Sequence, residues 1–378
     1  MNTPAEVSIV KAADYNPRLL EAQIEAVLAP LGGLEAFVKP GMRVLVKPNL
    51  LSAKGPDRAI TTHPEFVAAI ARLVRRAGAG VQVGDSPAGA KTGIQRVWDN
   101  TGLTEVSRRD DFELVCFESA GVKPVSVNGN QYYIARPVLE ADLVISLPKL
   151  KTHVLTLMTG GVKNVFGVIP GFRKGLYHKE APNPRHFAHI IVDIFSAVRP
   201  GLTIMDAIDA MEGDGPASGV RRQAGLIMAS RDAVALDTVA ANIIGLDPAK
   251  VHTTRYCQNR GLGMGRMELI AVRGESIDDV RIPDFKLTSN TKMELLPKFL
   301  VKVIDPFLWL RPAIAEDLCI QCGECVKSCP TNAMRRIDED SHPYVVQEHC
   351  INCWCCHEIC PVRAVEIERS WLAKRLIR

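Results

Sequence analysis

The stretch "CIQCGECVKSCP" (319–330) returns 31 residues later as "CINCWCCHEICP" (350–361). Each copy reads C-x2-C-x2-C-x3-C-P, so Cys319, Cys322, Cys325, Cys329 and Pro330 align with Cys350, Cys353, Cys356, Cys360 and Pro361. Five positions recurring at one offset mark an internal duplication rather than chance spacing. Residues 1–318 hold two cysteines, Cys116 and Cys257, whereas 319–360 hold nine. A disulfide framework would spread its cysteines over a small secreted domain. Tight clustering in an otherwise ordinary chain reads instead as metal ligation in a reducing compartment, so the expected location is cytoplasmic.

The spacing is that of the bacterial ferredoxin run, in which the fourth cysteine ligates the other cluster. It predicts two [4Fe–4S] clusters, one on Cys319, Cys322, Cys325 and Cys360 and the other on Cys350, Cys353, Cys356 and Cys329. Three thiolates within a seven-residue loop can point at one cube while the loop's N–H groups stabilise its sulfurs. Zinc would prefer paired cysteines separated by a longer gap. The fifth cysteine of the second run, Cys355, aligns with Glu324 and falls outside the ligand pattern. It reads as a small apolar residue near the cluster.

Outside this run the chain looks globular. Its 378 residues allow two or three domains, and 47% hydrophobic with 23% charged residues argues against disorder. A net charge of +4 without a basic run or an aromatic-interleaved stripe gives no footprint for nucleic acid. The N-terminus "MNTPAEVSIVKAADYN" lacks a basic region followed by an apolar core, so no signal peptide is expected. No apolar run reaches the roughly 18 residues of a membrane-spanning helix.

Short apolar runs at 44–46, 81–83, 143–147, 202–205 and 225–229 alternate with helical patterns at 63–79 and 231–245. Near-continuous apolar strands between helices indicate an α/β fold with a mostly parallel sheet flanked by helices. His63-Pro64 and Arg231-Asp232 are plausible helix starts, Gly78 and Gly245 plausible ends. Ligands of such sheets bind at the carboxyl ends of the strands, and the loops there are polar. They offer Lys47 and Asn49; Asp85 and Ser86 in a loop running to Gly89; Lys149, Lys151 and His153; Gly160, Gly161, Lys163 and Asn164; and Asp206, Asp209, Glu212 and Asp214. Lysines, glycines and a histidine converging on one edge suit an anionic ligand, and the acidic loop could supply a base or a hard-cation site. Plainer readings stand beside these: solvated lysines, turn glycines, and helix-start carboxylates at i, i+3 and i+6. Neither G-x-x-x-x-G-K-[ST] nor G-x-G-x-x-G occurs in these loops, and Gly261-Leu262-Gly263-Met264-Gly265 reads as a turn.

In order along the chain, "VLVKPNLL", "VGDSP", "LPKLKTH", "GGVKNVFG", His178, "MDAIDAMEGDGP" and "ASRDAVALD" resemble the family called domain of unknown function 362 over about residues 40–275. That family often ends in a ferredoxin domain, and the resemblance implies an iron–sulfur protein. A weaker similarity, carried by His153, "GGVKNVFGVIPG" with Lys163, and His178, is to the nickel-pincer lactate racemases. It implies a related fold, with Lys163 as a cofactor- or substrate-binding lysine and His153 and His178 as acid/base or ligand candidates. Here the later histidine lies in "YHKE", and the racemases lack the ferredoxin domain.

The expected organisation is an α/β domain over 1–283, an apolar linker over 284–315, a small α+β ferredoxin-like domain over 316–368 and a basic amphipathic tail over 369–378. Linker and tail are expected to pack the domains together rather than to lie on a membrane surface. The leading expectation is an iron–sulfur oxidoreductase. Lys47, Lys151 and Lys163 would hold a small anionic substrate or an unidentified anionic cofactor, and His153 and His178 would transfer protons. Asp206 or Asp214 would assist, and a redox partner protein such as a ferredoxin would exchange electrons. The alternatives are an electron-carrying accessory subunit that recognises a partner, and a racemase- or dehydratase-like enzyme with structural clusters. Metal analysis of anaerobically purified protein should find about eight irons per chain; about four would sink the paired-cluster assignment.

Overall fold

The computed structural model describes residues 4–87, 90–171, 173–181, 183–288 and 309–376. Most of the expected linker, together with Ala88, Gly89 and the last two residues of the tail, lies outside the described residues.

The strands in chain order are β1 (Ala5–Lys11), β2 (Arg43–Pro48), β3 (Gly80–Asp85), β4 (Glu113–Cys116), a hairpin of β5 (Val122–Val127) and β6 (Asn130–Ala135), β7 (Leu143–Leu147), β8 (Lys149–His153), β9 (Leu157–Thr159), β10 (Leu202–Glu212), β11 (Val220–Ser230) and β12 (Ile270–Gly274). All but the hairpin join one ten-stranded sheet ordered β12-β1-β11-β10-β7-β2-β3-β4, with β8 on the far half of β10 and β9 outside β8. β4, β3, β2, β7 and β10 run parallel, and β11 is antiparallel to both its neighbours. Both faces are covered, which is why the strands read as apolar runs rather than alternations. Val44 and Val46 of β2 enter one core and Leu45, between them, enters the other.

The helix expected over 63–79 runs Pro64–Arg76. The His63 ring accepts from Glu65 N at its start, and Gly78 follows its end at φ +80°. The one expected over 231–245 runs Ala233–Ile243, capped by the Asp232 carboxylate on Val234 N and Ala235 N.

Two segments differ from expectation. "LPKLKTH" forms strand β8 rather than a loop, and "MDAIDAME" continues β10 to Glu212 instead of opening into an acidic loop or helix. The cause is pairing: β10 bonds β11 along most of its length and β8 at Asp206 and Met211. The carboxylates are therefore drawn into the sheet, where a bare charge is untenable. Asp206 accepts from Lys149 Nζ (2.9 Å), Tyr15 Oη (2.8 Å) and His63 N (3.0 Å), and the Tyr15 ring stacks on His63 at 3.7 Å. Asp209 pairs with Arg221 (2.9 Å), and Glu212 accepts from Lys286 N (3.1 Å).

The cysteine-rich segment folds as β13 (Leu310–Ile314), β14 (Met334–Arg335), β15 (Tyr344–Val345) and β16 (Val365–Arg369), with short helices Glu324–Lys327 and Cys355–Ile359. β13 pairs antiparallel with β16 and β14 with β15. The duplication extends to the backbone. Left-handed residues recur at the same offset as the cysteines: Gln321 and Asn352, Gly323 and Trp354, Asn332 and Arg363. Trp354 takes a conformation that favours glycine (φ +65°), and its buried side chain belongs to the same core cluster as Phe166 and Phe187. Lys54 Nζ donates to the carbonyls of Cys360 (3.0 Å) and Pro361, Arg363 to Gly219 O (3.3 Å), and Arg369 pairs with Asp214 (2.5 Å). These contacts fix the small domain on the large one. Among the described residues no helix is long and apolar enough to cross a membrane.

Lys149→Ala would leave Asp206 buried without its cation. A loss of about 3–5 kcal/mol is expected, read as a fall in the urea unfolding midpoint with the slope unchanged.

A candidate anion-binding cavity beside the cysteine domain

A cavity of about 550 Å³ opens between the carboxyl edge of the parallel strands and the cysteine domain. The sheet side contributes Asn49 after β2, Asp85 and Ser86 at the end of β3, Lys151 of β8, and the segment 163–178 with Lys163, Phe166, Lys174 and His178. The other wall comes from both cysteine runs: Glu324, Lys327 and Cys329 from the first, Cys355 and Glu358 from the second. Glu324 and Cys355 are repeat equivalents, as are Lys327 and Glu358, so the duplication presents matching faces to the cavity.

Four lysines meet here with unequal partners. Lys47 is wholly buried and stands behind the wall; its Nζ pairs with Asp85 Oδ1 (2.8 Å) and also reaches Pro48 O (3.1 Å) and Asn164 Oδ1 (3.4 Å). Asp85 Oδ2 accepts in turn from Leu50 N (2.8 Å). Lys151 has only neutral acceptors, Asn49 Oδ1 (2.6 Å) and Ile60 O (2.7 Å). Burial, aided by the neighbouring Lys163 charge, brings it down to about 7. Lys174 donates to the Ser86 hydroxyl (2.8 Å) and carbonyl, and burial lowers it to about 8 against the pull of Asp85 and Glu118. Lys163 lines the cavity and has no hydrogen bond or ion pair among the described residues. Burial depresses its ammonium, while Glu358 and Cys355 favour the charge.

The two histidines differ. His153 Nδ1 accepts from Leu155 N (3.0 Å), and Nε2 lies 3.3 Å from Glu358 Oε1. That geometry fixes a neutral ring with the proton on Nε2, donated to a carboxylate. Burial, then Lys163, holds it down to about 3. Both nitrogens are thus committed, and His153 works as a strut between the domains. His178 is 8% exposed, stacked on Phe187 at 4.1 Å and edge-on to Phe166. Its ring nitrogens have no hydrogen-bond partner among the described residues, and burial lowers it to about 4, so it is neutral at ordinary pH.

Glycines set the approach of the Lys163 helix. Asp237 receives Gly161 N (2.6 Å) and Val162 N (3.0 Å) at the start of Gly161–Asn164. A Cβ on Gly160 would stand 2.1 Å from Asp237 Oδ1. Gly160 and Gly161 therefore seat the helix against a buried acid and do not line the cavity. Nor do Lys149 and Asp206, closed in their own network with Tyr15, nor Asp214, held by Arg369. Asn164 bridges Lys47 to the Ser146 hydroxyl (3.0 Å). Sequence reasoning missed Lys174, Phe166 and Glu358. Lys174 carried a signal, standing four residues before His178 on one helix face; Glu358 was hidden inside the cysteine run.

All eleven cysteines are free. The Cys325 thiol is pushed up to about 12 by burial and then by Cys360, Cys322 and Cys319. Cys356 is raised by burial and then by Cys353, Cys350, Cys325 and Cys329. The first set joins three cysteines of one run to the fourth of the other; the second joins three to Cys329 and also to Cys325. A second, small cavity is lined by Cys329, Cys350, Cys353, Cys355 and Cys356. Backbone N–H groups reach sulfur at equivalent places, Ala333 to Cys329 (3.2 Å) and Ala364 to Cys360 (3.1 Å). No three His, Cys, Asp or Glu side chains among the described residues gather as a single metal ion would require.

The family Domain of unknown function (DUF362) matches residues 44–242, and the 4Fe-4S dicluster domain matches residues 312–367. The "Thylakoid-associated protein sll1697" of Synechocystis sp. is 41% identical over 265 residues, 70% of this chain and 82% of that protein. Two solved structures are distantly similar. The lactate racemase apoprotein of Thermoanaerobacterium thermosaccharolyticum is 12% identical with a TM-score of 0.41, over 61% of this chain and 54% of its own. A Thermotoga maritima protein is 11% identical with a TM-score of 0.38, over 66% of this chain and 60% of its own. The chain thus spans less than two thirds of either structure. It belongs to the domain of unknown function 362 family and carries a C-terminal 4Fe–4S dicluster domain.

A Cβ on Gly167 would stand 2.0 Å from Asp85 Oδ1 and 2.7 Å from Lys47 Nζ. Gly167→Ala should therefore split this buried pair, costing about 3–5 kcal/mol in chemical unfolding; an unchanged midpoint would show that the pair has room to move.

Proposed function

We propose that this member of the family is an iron–sulfur oxidoreductase that binds a small anionic substrate or cofactor in the cavity between its two domains. The carrying observation is the cavity's composition, with the unpaired Lys163 on one wall and Cys329 on the other. A cleft with convergent polar groups and displaced pKa values is the usual form of a small-molecule site. Eight free thiols in two sets, with N–H groups already directed at Cys329 and Cys360, fit two four-cysteine clusters. Cys319, Cys322, Cys325 and Cys360 would hold one; Cys350, Cys353, Cys356 and Cys329 the other. Such clusters, when bound, supply single-electron chemistry.

The chain's own residues divide the remaining work. Lys163 and Lys151 attract the anion, and Lys174 faces it from the third side. His178, buried and without a hydrogen bond, is the group able to give or take a proton, whereas His153 orients Glu358. Cys322 is the exposed thiol of the eight, and a redox partner protein would approach on its side. An accessory subunit that merely recognises a partner would have little use for cations enclosed in a cavity. A relative named for thylakoid association, and Trp371 standing 70% exposed beside Lys374 and Arg375, favour peripheral membrane contact as part of this reading.

Lys151 and Lys174 carry charge below about 7 and about 8 and lose it above. A bound anion raises both, so binding takes up protons and weakens with rising pH. Sulfate, whose own charge is constant over this range, should bind the cluster-loaded full chain progressively more weakly by calorimetry from about pH 6 to about pH 9. Lys163→Ala should cost at least about tenfold in affinity. A flat profile indifferent to Lys163 would remove the anion site and this function with it.

A further inference from the structure

Burial across the cavity is graded. At its floor Lys151 is 1% exposed and Asn164 2%, while at its mouth Leu176 is 53% exposed. Leu176 belongs to the helix Arg173–Glu180, whose Gly175 stands opposite Pro330 of the cysteine domain. Among the charged and polar groups of its walls, Leu51, Phe166, Pro330 and Ile359 contribute apolar surface. The cavity thus combines cations able to meet an anion, Lys151, Lys163 and Lys174, with apolar lining and an exposed leucine.

Resting on the anion site proposed above, the geometry points to its ligand class: an amphipathic anion, a carboxylate or phosphate head on an apolar body. The head would meet Lys163 and the buried imidazole of His178, which has no partner of its own. The body would lie along Phe166, Leu51, Pro330 and Ile359, and its far end would emerge under Leu176. A cavity of about 550 Å³ exceeds what a bare inorganic anion fills and suits a body of drug-like size. Glu358 acts on Lys163 through its field alone, with no ion pair formed, so the ammonium keeps its hydrogen bonds for the head.

The test is calorimetric titration of the cluster-loaded full chain with octanoate and with acetate, which share a head and differ in body. Octanoate should bind at least about a hundredfold tighter than acetate. Lys163→Gln should weaken octanoate about tenfold or more, and Leu176→Ser, at an exposed position, should weaken it several-fold. The visible absorption of the clusters and the thermal transition should be unchanged in both variants, which separates lost binding from lost folding. If octanoate binds no tighter than acetate while both depend on Lys163, the amphipathic ligand is overturned and the anion site stands. If octanoate binds wild type and Lys163→Gln alike, both readings fall.

Discussion

Lysine ammonium groups buried at the carboxyl edge of the sheet are the constraint around which the rest is arranged. Moving a charge out of water costs several kcal/mol unless partners replace the solvent. Lys47 and Lys149 are answered by carboxylates, Asp85 and Asp206, with further hydrogen bonds around each pair. Those two lysines are structural, and they lock β2 to β3 and β8 to β10. Lys151 receives only an amide oxygen and a peptide carbonyl, and Lys163 receives neither. The unequal compensation divides four similar side chains into a scaffold and a site.

The cysteine domain completes that division. It is more than an appendage, because Glu358 supplies a carboxylate to Lys163 and His153, and Trp354 joins the α/β core. Removing it would expose the part of the α/β core that Trp354 joins and leave His153 Nε2 without its acceptor. The four-residue helix that carries Lys163 has its other anchor in Asp237, whose acid burial pushes up to about 7 even though two N–H groups favour its charge. Lys163 is thus held from both domains, by Asp237 through the backbone and by Glu358 through its field.

The sheet, its helices and the paired cysteine runs were legible because they rest on periodicity and exact repetition. Both helical segments came out within a few residues, and the offset that orders the cysteines also orders the left-handed positions. What escaped was decided by pairing over long range. "MDAIDAME" carries carboxylates at i, i+3 and i+6, a pattern shared by a helix start, yet hydrogen bonds to β8 and β11 make it a strand. Lysines 149 and 151 differ by two positions and point to the same face of β8. Only the proximity of Asp206 to the first separates a buried ion pair from a cavity cation. Glu358 was invisible for another reason: inside a run dominated by cysteines, its partner lies 205 residues earlier in a strand of the other domain.

The two histidines show why position in a motif does not settle a role. Both flank the glycine-rich segment, and both are buried with their charged forms disfavoured. His153 has a donor on one nitrogen and an acceptor on the other, so releasing or taking a proton would break a contact that joins the domains. His178 is held by ring stacking alone, which fixes its plane while leaving both nitrogens uncommitted. Desolvation keeps it neutral at rest, and an anion arriving beside it would raise its proton affinity together with that of the lysines. Under the proposed function, the group free to accept a proton would be one whose basicity rises when the cavity fills, which would tie proton transfer to occupancy of the site.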